Sequence, residues 1–219
     1  MATVLVVCPH AMDEALGCGG TIALRADAGD RIETLVLFGD GSGMDAQRRI
    51  AAPRAAKIFG CAEPHFAGFP ENRSDCLPLI EVVTVIEKAI AEIRPTVIYA
   101  PHGGNLNIDH QTTFRALVTA ARPVPQYPVR TIYTYEVLSS TEWAPPQLGQ
   151  PFVPVHFVDI TATLERKLRA LEHYRAEMRP TPHSRSIEGV RALAQHRGLG
   201  VGVVAAEAFG IVREIIDRP

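Results

Sequence analysis

The chain has 219 residues, 47% hydrophobic and 21% charged, the make-up of an ordinary globular protein and far from that of a disordered chain. This length suits one domain spanning 1–219 and is short for two with separate cores. Lys and Arg number 22 against 24 Asp and Glu, a formal charge of -2, which removes any general electrostatic case for nucleic acid or an anionic membrane and points to a small-molecule partner.

Thr3 to Cys8 is a β-branched apolar run that reads as a strand, and the small and apolar residues from Asp13 to about Gly29 suit a packed helix. Ile32 to Phe38 reads as a second buried strand. Gln47 to Phe59 reads as a helix whose start Pro53 should reset or whose axis it should kink. Glu63 to Ala67 is a short third strand. Leu79, Val82, Val83, Ile86, Ile90 and Ile93 recur near a 3.6 period, and Pro95 closes that helix before the strand Thr96 to Ala100. A helix from Asp109 to Ala121 follows, then strands Thr131 to Val137 and Val155 to Val158 around the loop Ala144 to Pro154, and helices Ala162 to His173 and Ile187 to His196. Parallel neighbours need crossover connections, so this alternation predicts an α/β, Rossmann-like three-layer fold with a mostly parallel sheet.

Cys8, Cys18, Cys61 and Cys76 form no C-x-x-C pair, and Met1-Ala2-Thr3 enters the first strand without the basic region of a secretory signal. No apolar run approaches the roughly 18 residues of a membrane helix. A cytoplasmic protein with reduced thiols and no membrane span is expected. The apolar C-terminal elements leave self-association into a homo-oligomer open.

In open α/β sheets, ligands bind beyond the carboxyl ends of the strands. Pro9-His10-Ala11-Met12-Asp13-Glu14 follows the first strand, and Pro101-His102-Gly103-Gly104-Asn105-Leu106-Asn107-Ile108-Asp109-His110 follows the strand ending at Ala100. Together His10, Asp13 and His110 offer two imidazoles and one carboxylate to a metal with open positions, which would activate water and polarise a carbonyl. The plainer alternatives are hydrogen-bonded loop histidines and an Asp13 that caps the next helix. Gly39-Asp40-Gly41-Ser42-Gly43 lacks the Gly-x-Gly-x-x-Gly spacing of a dinucleotide turn.

His10 to Gly20 resembles the opening motif of the PIG-L/LmbE-like zinc-dependent deacetylases, His-Pro-Asp-Asp-Glu or His-Ala-Asp-Asp-Glu before a glycine-rich turn, and His102 to His110 is similar to their Asn-x-Asp-His element. Tyr135-Glu136-Val137 with Ser139-Ser140-Thr141-Glu142-Trp143, Pro182-His183-Ser184-Arg185-Ser186 and Ala206-Glu207-Ala208-Phe209 extend the resemblance over nearly the whole chain. It implies hydrolysis of an N-acyl group, typically N-acetyl on an amino sugar or its conjugate, at one zinc or another divalent ion. It places His10, Asp13 and His110 on the metal-ligand positions and Asp109 on that of an acid supporting a neighbouring catalytic or ligand side chain.

Met12 departs from this pattern, since it stands where the family carries its general-base Asp and a thioether cannot take up that proton. Losing a positioned base typically costs ~10²–10⁴ in rate. Asn105 and Ala52 also replace frequent acids, and Glu71 replaces a frequent Asp. Among His102, Asp109 and His183, His102 is the preferred substitute base. Arg48, Arg49 and Arg73 are cations suited to an anionic or hydroxyl-rich substrate, with Arg49, Arg73 and His183 the expected substrate contacts. Two readings follow: a metal-dependent deacetylase that tolerates Met12, or a catalytically impaired pseudoenzyme or sugar-conjugate-binding protein that keeps the fold.

Overall fold

The computed structural model describes residues 1–125 and 128–216. Its sheet has seven strands, β1 (Thr3–Cys8), β2 (Arg31–Phe38), β3 (His65–Phe69), β4 (Val97–Pro101), β5 (Thr131–Tyr135), β6 (His156–Asp159) and β7 (Ala206–Glu214), in the order β3-β2-β1-β4-β5-β7-β6. The first five are mutually parallel, and β7 runs antiparallel between β5 and β6. The helices are α1 (Asp13–Asp27), α2 (Gly43–Phe59), α3 (Leu79–Ile93), α4 (Ile108–Ala120), α5 (Leu164–Leu171) and α6 (Ile187–Leu199). One core joins β1 and β2 side chains such as Val4, Val6 and Val36 to α1, α2, α5 and α6, while the other packs Leu5, Val7 and Leu37 against α3 and α4. Alternate residues of β1 thus feed opposite layers, the signature of a strand buried on both faces.

The mostly parallel α/β architecture is as the alternating pattern predicts, with three differences. Helix α2 begins at Gly43 and passes through Pro53 without a break. The segment after Ala162 is shorter as an α-helix and tightens into a 3-10 turn at Glu172–Tyr174. Strand β7 has no counterpart in the sequence pattern: Ala-Glu-Ala-Phe-Gly has weak β propensity, and its place is set by pairing with β5 and β6 on either side.

Helix α1 is interrupted at Cys18, whose φ of -143° is non-helical. The break frees backbone groups inside the core, and two buried side chains from distant elements satisfy them. Glu207 of β7 accepts from Gly20 N at 2.9 Å and Thr21 N at 2.7 Å, while Lys167 of α5 donates to Leu16 O at 2.8 Å and to Glu207 Oε1 at 2.6 Å. The carboxylate sits at the positive start of the second helical segment, where a negative charge is favoured. Gly17 is needed beside the break, because a Cβ there would fall within the Tyr135 ring.

Among the described residues no helix is long and apolar enough to cross a membrane. All four cysteines are free thiols.

Candidate metal centre and substrate cleft

The chain leaves β1 toward β2 on one side and later returns to β4 on the other, so β1 and β4 flank the point where the strand order reverses. Loops diverge there and leave a crevice. His10 and Asp13 enter it from the end of β1 and the start of α1, and Asp109 and His110 from the first turn of α4. Asn107 caps α4, its side chain accepting from Asp109 N at 2.8 Å.

His10, Asp13 and His110 are buried, and one ligand atom from each lies within 4.8 Å of the others. Asp13 Oδ2 is 3.4 Å from His10 Nδ1 and 3.3 Å from His110 Nε2. These separations exceed those of a charge-assisted hydrogen bond, ~2.7–2.9 Å. They match the edge of a tetrahedron with metal-to-nitrogen distances of ~2.0–2.1 Å, which is about 3.3–3.4 Å. His110 Nδ1 is buried without a hydrogen-bond partner among the described residues, so the protein does not lock this imidazole into a purely structural bond pattern. The donor set therefore fits a divalent ion.

Asp109, fully buried, accepts from His10 Nε2 at 2.9 Å, from Asn72 N at 2.6 Å and from Ser74 N at 3.3 Å. A carboxylate on the far nitrogen of a ligating imidazole fixes its tautomer and direction. Burial opposes charge throughout this cluster, but the partners decide the outcome. For His10 the hydrogen bonds to Asp109 and Asp13 outweigh burial and hold the imidazolium up to about 9. For Asp13 burial is overcome by His110 and His10, lowering it to about 2. Asp109 is lowered despite burial, chiefly by the bond to His10. For His110 burial outweighs the attraction of Asp13 and Asp109 and, with His10 repelling, pushes it down to about 4.

A cleft of about 280 Å³ opens above these groups. Arg48, 7% exposed, spans one wall: its guanidinium fork grips Glu71 through two bonds of 2.8 and 3.1 Å and its Nε donates to Glu177 at 2.8 Å. Arg185 reaches the other oxygen of Glu177 at 3.3 Å. Asn72 and Asn107 line the same wall and bond to one another at 3.1 Å. Trp143 and His183 line the cleft in edge-to-face contact at 5.4 Å.

Met12 also lines the cleft and is 3% exposed. Its φ of 98° is left-handed, a region that Asn and Asp tolerate better than a long side chain. Its backbone N donates to Glu14 Oε2 at 2.8 Å, and Tyr174 donates to Glu14 Oε1 at 2.7 Å. Burial raises Glu14 to about 7.

The structure brings His10, Asp13, Asp109, His110 and His183 together, but not the remaining expected residues. His102 turns into a separate groove with Phe114 and Phe152, its Nε2 donating to Gln150 O at 2.8 Å, and it is not among the residues lining the cleft, so it is not placed to act as a base there. Arg49 bonds Asp45 and Gly39 O and lies 4.4 Å over the Phe66 ring, on the other side of α2. Arg73 is exposed and not among the cleft-lining residues. The arginine that does enter is Arg48, one of the three candidate cations, which shares the buried face of α2 with Ala51, Ala52, Ala55 and Phe59. Glu177 and Asn72 lie in turns without periodic pattern, and nothing in the sequence marked them.

The profile of the PIG-L family, described as GlcNAc-PI de-N-acetylase, matches residues 5–121. The chain belongs to the PIG-L family. The match takes in both strand-end loops that carry the buried His-Asp-His cluster. Among curated relatives, the uncharacterized deacetylase YaiS of Escherichia coli is 26% identical over 170 residues, 74% of this chain and 89% of that protein. The probable N-acetyl-alpha-D-glucosaminyl L-malate deacetylase 2 of Bacillus cereus is 29% identical over 190 residues, 80% and 83% of the two chains. The crystal structure of the conserved protein TT1542 from Thermus thermophilus superposes with a TM-score of 0.80 at 26% identity, covering 100% of this chain and 98% of that one. Both of these curated relatives carry the name of a deacetylase, one uncharacterized and one probable, and each match spans about three quarters or more of this chain.

Proposed function

We propose that this protein is a metal-dependent deacetylase of an N-acylated amino sugar or its conjugate, with zinc or another divalent ion held by His10, Asp13 and His110. The observation that carries the reading is the spacing of those three donors, 3.3 and 3.4 Å about one carboxylate oxygen, with Asp109 behind His10. When bound, the ion supplies Lewis acidity toward the acyl oxygen and toward water. The Arg48 fork with Glu71 meets sugar hydroxyls on one wall, and His183 faces the substrate from the other. Asp109 keeps the His10 ring turned toward the donor cluster.

Met12 accepts no proton. Apart from Asp13, the carboxylates lining the cleft are Glu71 and Glu177, both engaged by Arg48, so among the described residues no unpaired carboxylate lining the cleft takes the place of a base at position 12. The test pairs metal analysis with turnover of a panel of N-acetyl amino sugars by wild type and Met12→Asp. Stoichiometric metal together with acetate release supports the proposal. A site that stays empty in excess zinc, or acetate release by neither protein, rejects it. Turnover by the variant alone would make the natural chain a binding protein.

A further inference from the structure

We propose that Trp143 is a carbohydrate-stacking platform at the mouth of the cleft, selecting substrates that carry a second pyranose ring beyond the acylated amino sugar. The identity of the first ring rests on the deacetylase reading above, whereas the platform rests on four observations of its own.

Trp143 is 51% exposed although it lines the cleft. Leaving so large an apolar surface in water is unfavourable, and that cost is recovered when a ligand covers it. Its exposure does not come from a loose loop. Thr141, two residues earlier, receives a bond from the buried Asn105 amide at 2.9 Å and its hydroxyl accepts from Val137 N at 2.8 Å. Ser140 donates to Asn105 Oδ1 at 2.7 Å, and Ser139 N donates to Glu142 at 2.6 Å. Asn105 lies in the turn that also carries Asn107, Asp109 and His110, so the indole is fixed relative to the metal-ligand turn.

The ring itself is braced. His183 meets it edge-on with an interplanar angle of 68°, and the His183 ring is held by Arg185 N donating to Nδ1 at 3.0 Å. The same cleft is lined by the polar side chains of Arg48, Glu71, Asn72 and Asn107. An apolar aromatic surface in one cleft with hydroxyl-binding groups suits a pyranose, which has C–H faces and a hydroxyl rim. Finally, the cleft volume of about 280 Å³ is just below the ~300–1,000 Å³ range of small-molecule sites. A substrate longer than one ring extends beyond so small a cleft, past the exposed face of Trp143.

Trp143 is the only tryptophan in the chain, so intrinsic tryptophan emission reports on it alone. N-acetylglucosamine and its β-1,4-linked dimer are titrated into the zinc-loaded protein, and kcat/KM for both is measured in wild type, Trp143→Phe and Trp143→Ala. The proposal expects saturable change in emission with the dimer and tighter binding of the dimer than the monomer by at least about tenfold, the scale of one aromatic contact. It also expects the dimer-to-monomer ratio of kcat/KM to collapse in Trp143→Ala through KM, with partial retention in Trp143→Phe. Metal content and melting temperature of the variants separate this from misfolding. Emission unmoved by saturating dimer, or equal binding of the two sugars, overturns the platform. If emission responds to the dimer while neither sugar is hydrolysed, the deacetylase reading fails and the platform stands. If both are hydrolysed with equal kcat/KM and emission is silent, the reverse holds.

Discussion

Nε2 of His10 lies 2.9 Å from Oδ2 of Asp109, 99 positions further along the chain. The bond ties the loop after β1 to the first turn of α4 and gives the His10, Asp13 and His110 cluster its orientation. Asp109 also accepts the backbone N–H groups of Asn72 and Ser74, so one carboxylate links the cluster to the segment that carries Glu71.

Asp109→Asn keeps the shape but replaces one acceptor by an amide and removes the charge behind His10. Losing such a partner lowers metal affinity by about 10–100-fold. Competition against a chromophoric chelator measures this. Unchanged zinc affinity in the variant would show that Asp109 does not orient His10.

Metal loading should release protons. His10, held up to about 9 in the metal-free cluster, is an imidazolium at neutral pH and must lose its proton to ligate. Asp13 at about 2 and His110 at about 4 are already deprotonated there. Calorimetric zinc titrations in buffers of different ionisation enthalpy should therefore return close to one proton released per ion. A value near zero would contradict the assignment of His10.

The same shifts set the stability of the metal-free protein. The raised His10 contributes stability that is fully present below its ordinary 6.5 and is lost as pH rises through about 9. The depressed Asp13 contributes stability present above its ordinary 3.8 and lost as pH falls through about 2. His110, neutral when folded, opposes folding as pH drops from 6.5 toward 4. Thermal melts should show the metal-free protein weakening from pH 6.5 to about 9. With zinc bound that alkaline decline should disappear, because His10 no longer carries the proton.

Met12→Asp introduces an acceptor at a left-handed position that aspartate tolerates better than methionine. Turnover should rise by ~10²–10⁴. Met12→Asn eases the backbone equally without supplying a base, so it should leave turnover near wild type. If Asn gains as much as Asp, backbone relief rather than proton transfer accounts for the effect.

Glu207→Gln leaves Lys167 buried without its counter-charge beside the break in α1. Removing one member of a buried pair typically costs about 3–5 kcal/mol. Urea unfolding should show a lower midpoint by a corresponding amount at unchanged slope. A loss below about 1 kcal/mol would mean that the pair is not what holds the two halves of α1 together.

The strands Thr3–Cys8 and Val97–Pro101 and the polar residues directly after them could be read in the sequence, because a buried strand followed by a loop is a local pattern. So could the gap at Met12, which stands inside a contiguous motif. Arg48 and Arg49 show where local reading stops: adjacent on α2, they differ by about 100° around the helix axis, and only packing shows that the first enters the cleft while the second pairs with Asp45. His102 shows the same limit, since residence in a motif-bearing loop did not determine which groove its ring would occupy.

The sequence by itself determined the α/β layering, the two loops that carry the donors and the absence of a carboxylate at position 12, all properties of contiguous residues and their periodicity. Tertiary structure alone decided that β7 inserts antiparallel between β5 and β6, that Glu177 and Asn72 join the site, that His10 is the side chain Asp109 supports, and that Trp143 stays exposed while lining the cleft. Each of those depends on pairings between residues far apart in the chain, whose geometry is fixed by how strands and helices close on one another.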